Sequence, residues 1–234
     1  MDIQTFSEKL FDISQKGYIH TLRRGNTGVG QTLEQYLGLQ ENNLSLPDIG
    51  GTIELKAFRK NTDSMLTLFT KEPISSLGRR RDRFLLETFG YKSLDSNKSL
   101  DLYTTISASG FNYQGFKLET KGDRLQLCHK DLSLDIYWPY ELLKHVFEQK
   151  LPSLVVVLAD SIGDEFDEKF HYNEAYYLKG FSFQRFMASI EAGNIKVDLR
   201  MHLRSNNMPR NHGTAFRIIK SKLYTCFDLQ QKIL

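Results

Sequence analysis

The sequence predicts a mixed α/β (α+β) fold: a central mixed β-sheet flanked by helices. Three observations carry this. PSLVVVLAD (152–160) is short, β-branched and bounded, the pattern of a strand buried on both faces, and it directly follows the amphipathic run YELLKHVFEQKL. LYTTISASG, FKLET and RLQLCHK, within 102–130, alternate apolar and polar residues as antiparallel strands do. Helical and strand patterns then interleave along the rest of the chain.

Taken in order, residues 2–16 place Ile3, Phe6, Leu10, Phe11 and Ile13 at helical spacing, with Gly17 as a stop. GNTGVG (25–30) reads as a glycine-rich loop, and Gln31 to Leu39 as a short helix with Leu33, Tyr36 and Leu37 on one side. LPDIGGTIELKAF (46–58) and MLTLFT (65–70) read as strands, and 79–89 as a helix carrying Phe84, Leu85 and Phe89. Beyond PSLVVVLAD, an acidic loop (Asp164 to Glu168) precedes the strand-like FHYNEAYYLKGF. FQRFMASIEAGN is a helix with a Gly-Asn stop, IKVDLRMHL a strand, SNNMPRNHG a loop, TAFRIIK a strand and LYTCFDLQQKIL a final helix. The acidic loop and a change of composition suggest two lobes, 1–150 and 151–234, with no linker between them.

The chain has 234 residues and a net charge of +3, enough length for one large domain or two small ones. It holds no apolar tract of 18 residues, so no membrane span is expected. Its acidic N-terminus lacks the apolar core of a secretory signal. Cys128 and Cys226 lie far apart without CxxC spacing, which fits reduced thiols in a cytoplasmic protein. Charge is unevenly spread: residues 191–234 carry eight Lys/Arg against three acids, a net of +5. A second basic cluster is GRRRDR (78–83). Basic patches are most often plain solvated faces, but two of them with Asn and His interspersed favour a polyanionic partner.

The stretch 46–58 poses the sharpest question, because it carries Asp48, Glu54 and Lys56 among apolar residues. On a strand, residues two apart share a face, so Glu54 and Lys56 project together while Ile53, Leu55 and Ala57 enter the core. Gly50-Gly51 lets the backbone bend and bring Asp48 toward Glu54. Two adjacent carboxylates repel unless a cation holds them, and oxygen ligands suit Mg²⁺. A lysine beside them can orient a water or stabilise charge on a phosphate. The plain alternative is an edge strand with a solvent-facing polar side, since motifs this short recur by chance.

The surrounding residues narrow the choice. RRGNTGVGQTLEQYLGLQENNLSLPDIGGTIELKAFR (23–59) resembles the MvaI/BcnI group of restriction endonucleases, which belong to the PD-(D/E)xK nucleases with a MutH-like fold. The glycine loop, the helix bearing Glu34, the ENN turn, the PD and the ELK follow in the same order. LTLFTKEP (66–73) and NHGTAFRI (211–218) match well, FNYQGFKLE only loosely.

The resemblance implies a Mg²⁺-dependent type II restriction endonuclease that cuts double-stranded DNA at a short GC-rich, CCNGG-like site. It further implies a monomer with one active site, two lobes around a DNA cleft, and a cognate methyltransferase that acts on the same site and need not bind the chain. By similarity Asp48 and Glu54 are metal ligands, Lys56 the catalytic lysine and Glu34 an acid at the margin of the site. Arg200, Arg210, His212 and Arg217 fall where the group reads bases, and Lys71 suits a phosphate contact. One departure stands out: five residues separate Asp48 from Glu54, one more than the group leads us to expect, with Gly50-Gly51 able to absorb it as a bulge. The competing functions are a MutH-type mismatch-repair nickase and a non-catalytic DNA-binding module.

Overall fold

The chain opens with α1 (Ile3–Ser14), capped by Asp2, whose side chain accepts the Thr5 N–H. Then come β1 (Ile19–His20), α2 (Gly28–Leu37), β2 (Glu54–Arg59), β3 (Leu66–Thr70) and β4 (Ile74–Ser75). A 3₁₀ turn at Gly78–Arg80 leads into α3 (Arg81–Phe89), followed by β5 (Tyr91–Lys92) and β6 (Lys98–Ile106). Next are β7 (Phe116–Lys121), β8 (Arg124–His129), β9 (Ile136–Pro139), α4 (Tyr140–Lys150), β10 (Ser153–Ile162) and β11 (Lys169–Lys179). The chain finishes with α5 (Phe183–Glu191), β12 (Ile195–Arg204), β13 (Pro209–Asn211), β14 (Ala215–Ile218), α6 (Lys220–Leu223) and β15 (Leu229–Lys232). This computed structural model describes residues 2–39, 47–62, 64–151, 153–164 and 166–234. The ENN turn (41–43) and Leu46 lie outside the described residues.

Two compact units result, and neither follows chain order. One comprises Met1–Ser64, Phe147–Ser182 and Leu223–Leu234; the other comprises Met65–Val146 and Phe183–Lys222. A division at 150/151, drawn from composition, cuts the chain once, whereas the fold inserts one unit into the other and breaks inside α4 and again near residues 182 and 222.

The first unit is built on a five-stranded sheet, β1-β11-β10-β2, with β15 also on β11. Its β2/β10 pair is parallel and the other pairs antiparallel, so the sheet is mixed as expected. VVV in β10 is fully buried, which accounts for the continuous apolar run. Phe6, Leu10 and Ile13 of α1 and Val29, Leu33 and Leu37 of α2 pack with Leu55, Val155, Val157 and Tyr172 in a single core. The second unit holds a six-stranded sheet, β3-β14-β12-β6-β5 with β13 on β12, and a four-stranded sheet, β4-β9-β8-β7.

Three local expectations change. LYTCFDLQQKIL is not a helix: a single turn and a 3₁₀ turn give way to β15, which pairs Leu229 with Lys179 and Lys232 with Tyr176. The open edge of β11 takes up the backbone hydrogen bonds that a helix would have made internally. Within SNNMPRNHG, Pro209–Asn211 forms β13 because the chain reverses on Asn207 (φ 62°) and pairs back on β12. The glycine-rich run is not a loop throughout, since α2 starts at Gly28.

Gly28 is required by packing, as a Cβ there would lie 2.2 Å from the Arg23 carbonyl oxygen. At Gly30 the nearest atom to an added Cβ is Glu34 Oε1, at 3.9 Å. Gly28→Ala is therefore expected to lose about 1–3 kcal/mol of stability through overpacking. Gly30→Ala is expected to gain about 0.5–1 kcal/mol from helix propensity. Urea denaturation of the two variants checks this, and equal midpoints would refute it.

Candidate active site and a basic sheet face

β2 is an edge strand of the five-stranded sheet, and its charged face carries the first cluster. Glu54 is 5% exposed. Its Oε1 accepts from Lys56 Nζ at 2.6 Å and its Oε2 from Lys150 Nζ at 3.2 Å. A buried carboxylate needs such partners, because an unpaired one would carry the full desolvation cost. Asp48 reaches the same place by another route: its Oδ2 accepts the Leu55 backbone N–H at 2.9 Å.

The five residues between Asp48 and Glu54 form a closed turn, not a bulge. Ile49 and Ile53 exchange both backbone hydrogen bonds (2.9 and 3.1 Å). Gly50 (φ 59°) and Gly51 (φ 69°) make the left-handed steps between them. Ile49 and Ile53 are buried in the core, so the turn is anchored and Asp48 is aimed from a fixed base. Removal from water raises the Asp48 pKa above its ordinary 3.8, and the neighbouring Glu54 charge raises it further.

Lys150 is the member of this cluster that sequence reasoning missed. It ends α4, and the parallel register Leu154↔Glu54 brings the start of β10 alongside β2. The two residues are 96 positions apart, so no local spacing could have joined them. Glu34 is half-buried on α2, the helix that packs against β2, with its Oε1 lying back toward Gly30. Below the cluster, Arg59 pairs with Glu168 and donates to the Gly25 (3.1 Å) and Asn26 (3.4 Å) carbonyls. The glycine run thus leans on β2.

The second unit presents a polar sheet face. Along β12, Ile195, Val197, Leu199, Met201 and Leu203 are buried, and Lys196, Asp198, Arg200, His202 and Arg204 alternate with them on the other side. Cross-strand neighbours continue that side: Arg217 opposite Lys196, Arg210 opposite His202, and Tyr103 opposite Arg200. Arg217 Nη1 pairs with Asp198 Oδ2 at 2.6 Å and Nη2 donates to the Met65 carbonyl at 2.7 Å. Arg200 donates from Nε to the Gly213 carbonyl (3.0 Å) and from Nη2 to that of His212 (3.2 Å). Arg210 and His212 are exposed, and His212 Nε2 lies 3.2 Å from His202 Nδ1. Desolvation lowers the His212 pKa, and His202, Arg210, Arg200 and Lys98 all push it the same way. These cationic neighbours disfavour a further positive charge on the His212 ring. Lys71 is half-buried, its backbone N–H held by the Thr214 carbonyl. In the GRRRDR cluster, Arg81 is paired with Glu72 and Asp82, and Arg83 with Glu87, while Arg79 and Arg80 are exposed.

A raised carboxyl pKa means that folded Asp48 holds its proton more tightly than the unfolded chain does. Stability is then lost as pH rises through the carboxylate range. In the metal-free protein, Asp48→Asn is expected to melt higher than wild type at pH 7. The gap should narrow as pH falls toward the ordinary value of 3.8. A melting-temperature difference independent of pH would refute this. Lys150→Met keeps the aliphatic stem but leaves Glu54 with one ammonium, a loss of about 1.5–3 kcal/mol for a charge-assisted hydrogen bond. An unchanged urea midpoint would show that Lys150 does not hold Glu54.

The sequence model of the MvaI/BcnI restriction endonuclease family matches residues 7–227. No curated protein matches the chain. Among solved structures, the restriction endonuclease MvaI–cognate DNA substrate complex is similar at a TM-score of 0.83 and 29% identity, over 100% of both chains. Restriction endonuclease MvaI in the absence of DNA is similar at 0.55 and 28%, over 99% of this chain and 97% of that one. With a carboxylate–lysine cluster on one unit, a basic sheet face on the other and a family match across nearly its whole length, the chain belongs to the MvaI/BcnI restriction endonuclease family.

Proposed function

We propose that the chain is a Mg²⁺-dependent type II restriction endonuclease, acting as a monomer on double-stranded DNA at a short GC-rich, CCNGG-like site. The observation that carries the catalytic part is the joint placement of Asp48, Glu54 and Lys56 on and beside one edge strand. Asp48 and Glu54 are the residues that would hold Mg²⁺. They offer oxygen donors; burial raises the Asp48 pKa first and the Glu54 charge adds to it, and a bound cation would offset both by favouring the carboxylate. Mg²⁺ bound there would acidify a water and neutralise charge developing on the scissile phosphate.

The chain's own groups supply the rest. Lys56, fixed by Glu54, directs a positive charge and N–H donors at the attacking water or the phosphate oxygens. Lys150 offsets the cost of burying Glu54 from the opposite side. Glu34 serves at the margin of the site. Arg200, Arg210, His212 and Arg217 are assigned to base reading, with arginine donating to guanine O6 and N7. Arg217, already oriented by Asp198, would lose less freedom on docking than a mobile side chain. Lys71 is assigned to a phosphate, which positions the duplex without reading it. No helix among the described residues is long and apolar enough to cross a membrane, and the two cysteines are free thiols, as suits a reducing cytoplasm.

Digestion of a plasmid of known sequence with Mg²⁺, followed by sequencing of the ends, tests this reading. Double-strand breaks at one short GC-rich sequence are expected. Lys56→Ala should cut at least about 10²-fold more slowly. Nicked circles alone would overturn the type II assignment, and wild-type cleavage by Lys56→Ala would overturn the active site.

A further inference from the structure

We propose that Glu72 is a positioning residue for site recognition: its carboxylate holds the loop that presents His212, so that selectivity for the target depends on a group not itself assigned to base reading. This rests on the reading of that face as the surface that meets DNA.

Glu72 follows β3, and four donors converge on its two oxygens. Oε1 accepts the Thr214 backbone N–H at 2.7 Å; Oε2 accepts Arg81 Nη2 at 2.5 Å, Asn211 Nδ2 at 2.9 Å and Thr214 Oγ1 at 3.2 Å. Asn211 extends the clamp, as its Nδ2 also donates to Asp82 Oδ2 (3.1 Å) and its Oδ1 accepts the Gly213 N–H (2.8 Å). Arg81, which faces both carboxylates, is tied down in turn by the Pro73 carbonyl at 2.6 Å. From the other side Arg200 takes the carbonyls of His212 and Gly213. Residues 211–214 are therefore held on both flanks by side chains, while the His212 ring itself is exposed.

This arrangement does more than close a turn. Gly213 is left-handed (φ +88°), a conformation that commits the neighbouring His212 to one direction only if its flanks are fixed. A loop fixed before binding gives up less freedom on docking, and the saving applies to contacts that need exact geometry. Phosphate contacts elsewhere tolerate looser placement because they read charge. Loosening the clamp should then weaken binding to the target sequence and leave general DNA affinity in place. The carboxylate is specifically required. A glutamine would turn one acceptor into an N–H donor facing Thr214 N–H or the Arg81 and Asn211 donors.

The test compares Glu72→Gln, Asn211→Ala and His212→Ala with wild type. Binding without Mg²⁺ is measured to a duplex carrying the mapped target and to one of equal length with a single C:G pair changed. Glu72→Gln is expected to lose tenfold or more in affinity for the target and to stay within twofold on the altered duplex, with little change in melting temperature. Asn211→Ala leaves both carboxylates and Arg81 paired and should show the same selective loss, which covers the case of a Glu72 variant that folds poorly. Parallel losses on both duplexes, or wild-type discrimination by Asn211→Ala, would overturn the positioning role. Wild-type discrimination by His212→Ala would instead overturn the reading of this loop as a DNA contact, so the two failures are told apart.

Discussion

Glu54 is a carboxylate with almost no access to water, placed on the last strand of a sheet, and the first unit is organised around making that tolerable. An isolated buried charge would be expelled or neutralised. Here one ammonium comes from the same strand two residues on, and another from the end of α4. The parallel register between β2 and β10 is what delivers the second. Asp48 then adds a like charge nearby, leaning on the Leu55 N–H. The cluster is a set of linked charges in which removing one member leaves another without its partner.

The second unit handles charge differently. Its cations lie on a sheet face, where pairing is partial and aimed. Asp198 holds Arg217 and accepts from Thr105, while Arg200 is committed to the His212–Gly213 carbonyls. Acids on this face act as fixtures for guanidinium groups, and the exposed Arg210 and His212 are left to face solvent. Geometry is set by hydrogen bonds to backbone and carboxylates before any partner arrives, which is how a surface of flexible side chains gains selectivity.

Much of the fold was legible because it is local. Period-two alternation in IKVDLRMHL separates the buried from the polar face of β12, and the apolar run LVVVLA marks β10. The neighbourhood of Glu54 and Lys56 follows from two-residue spacing on one strand. What escaped was non-local. Lys150 joins through strand register, β15 exists because β11 has an edge to fill, and the partner of Arg217 is decided by the pairing of β14 with β12. The run 25–30 reads from sequence as a glycine-rich loop, and only packing shows that Gly28 is needed where it passes the Arg23 carbonyl.

The insertion of one unit into the other has a consequence for when the Glu54 cluster can form. β2 is synthesised early, but its partner strand among the described residues, β10, begins at Ser153, after the inserted segment 65–146 has emerged. Until then Glu54 has neither its parallel neighbour nor Lys150. The sheet also lacks β15 until Leu229–Lys232 are made. Pairings this distant in sequence form late. Until β10 is made, the Asp48, Glu54 and Lys56 side chains therefore lack the parallel neighbour that holds β2 in register.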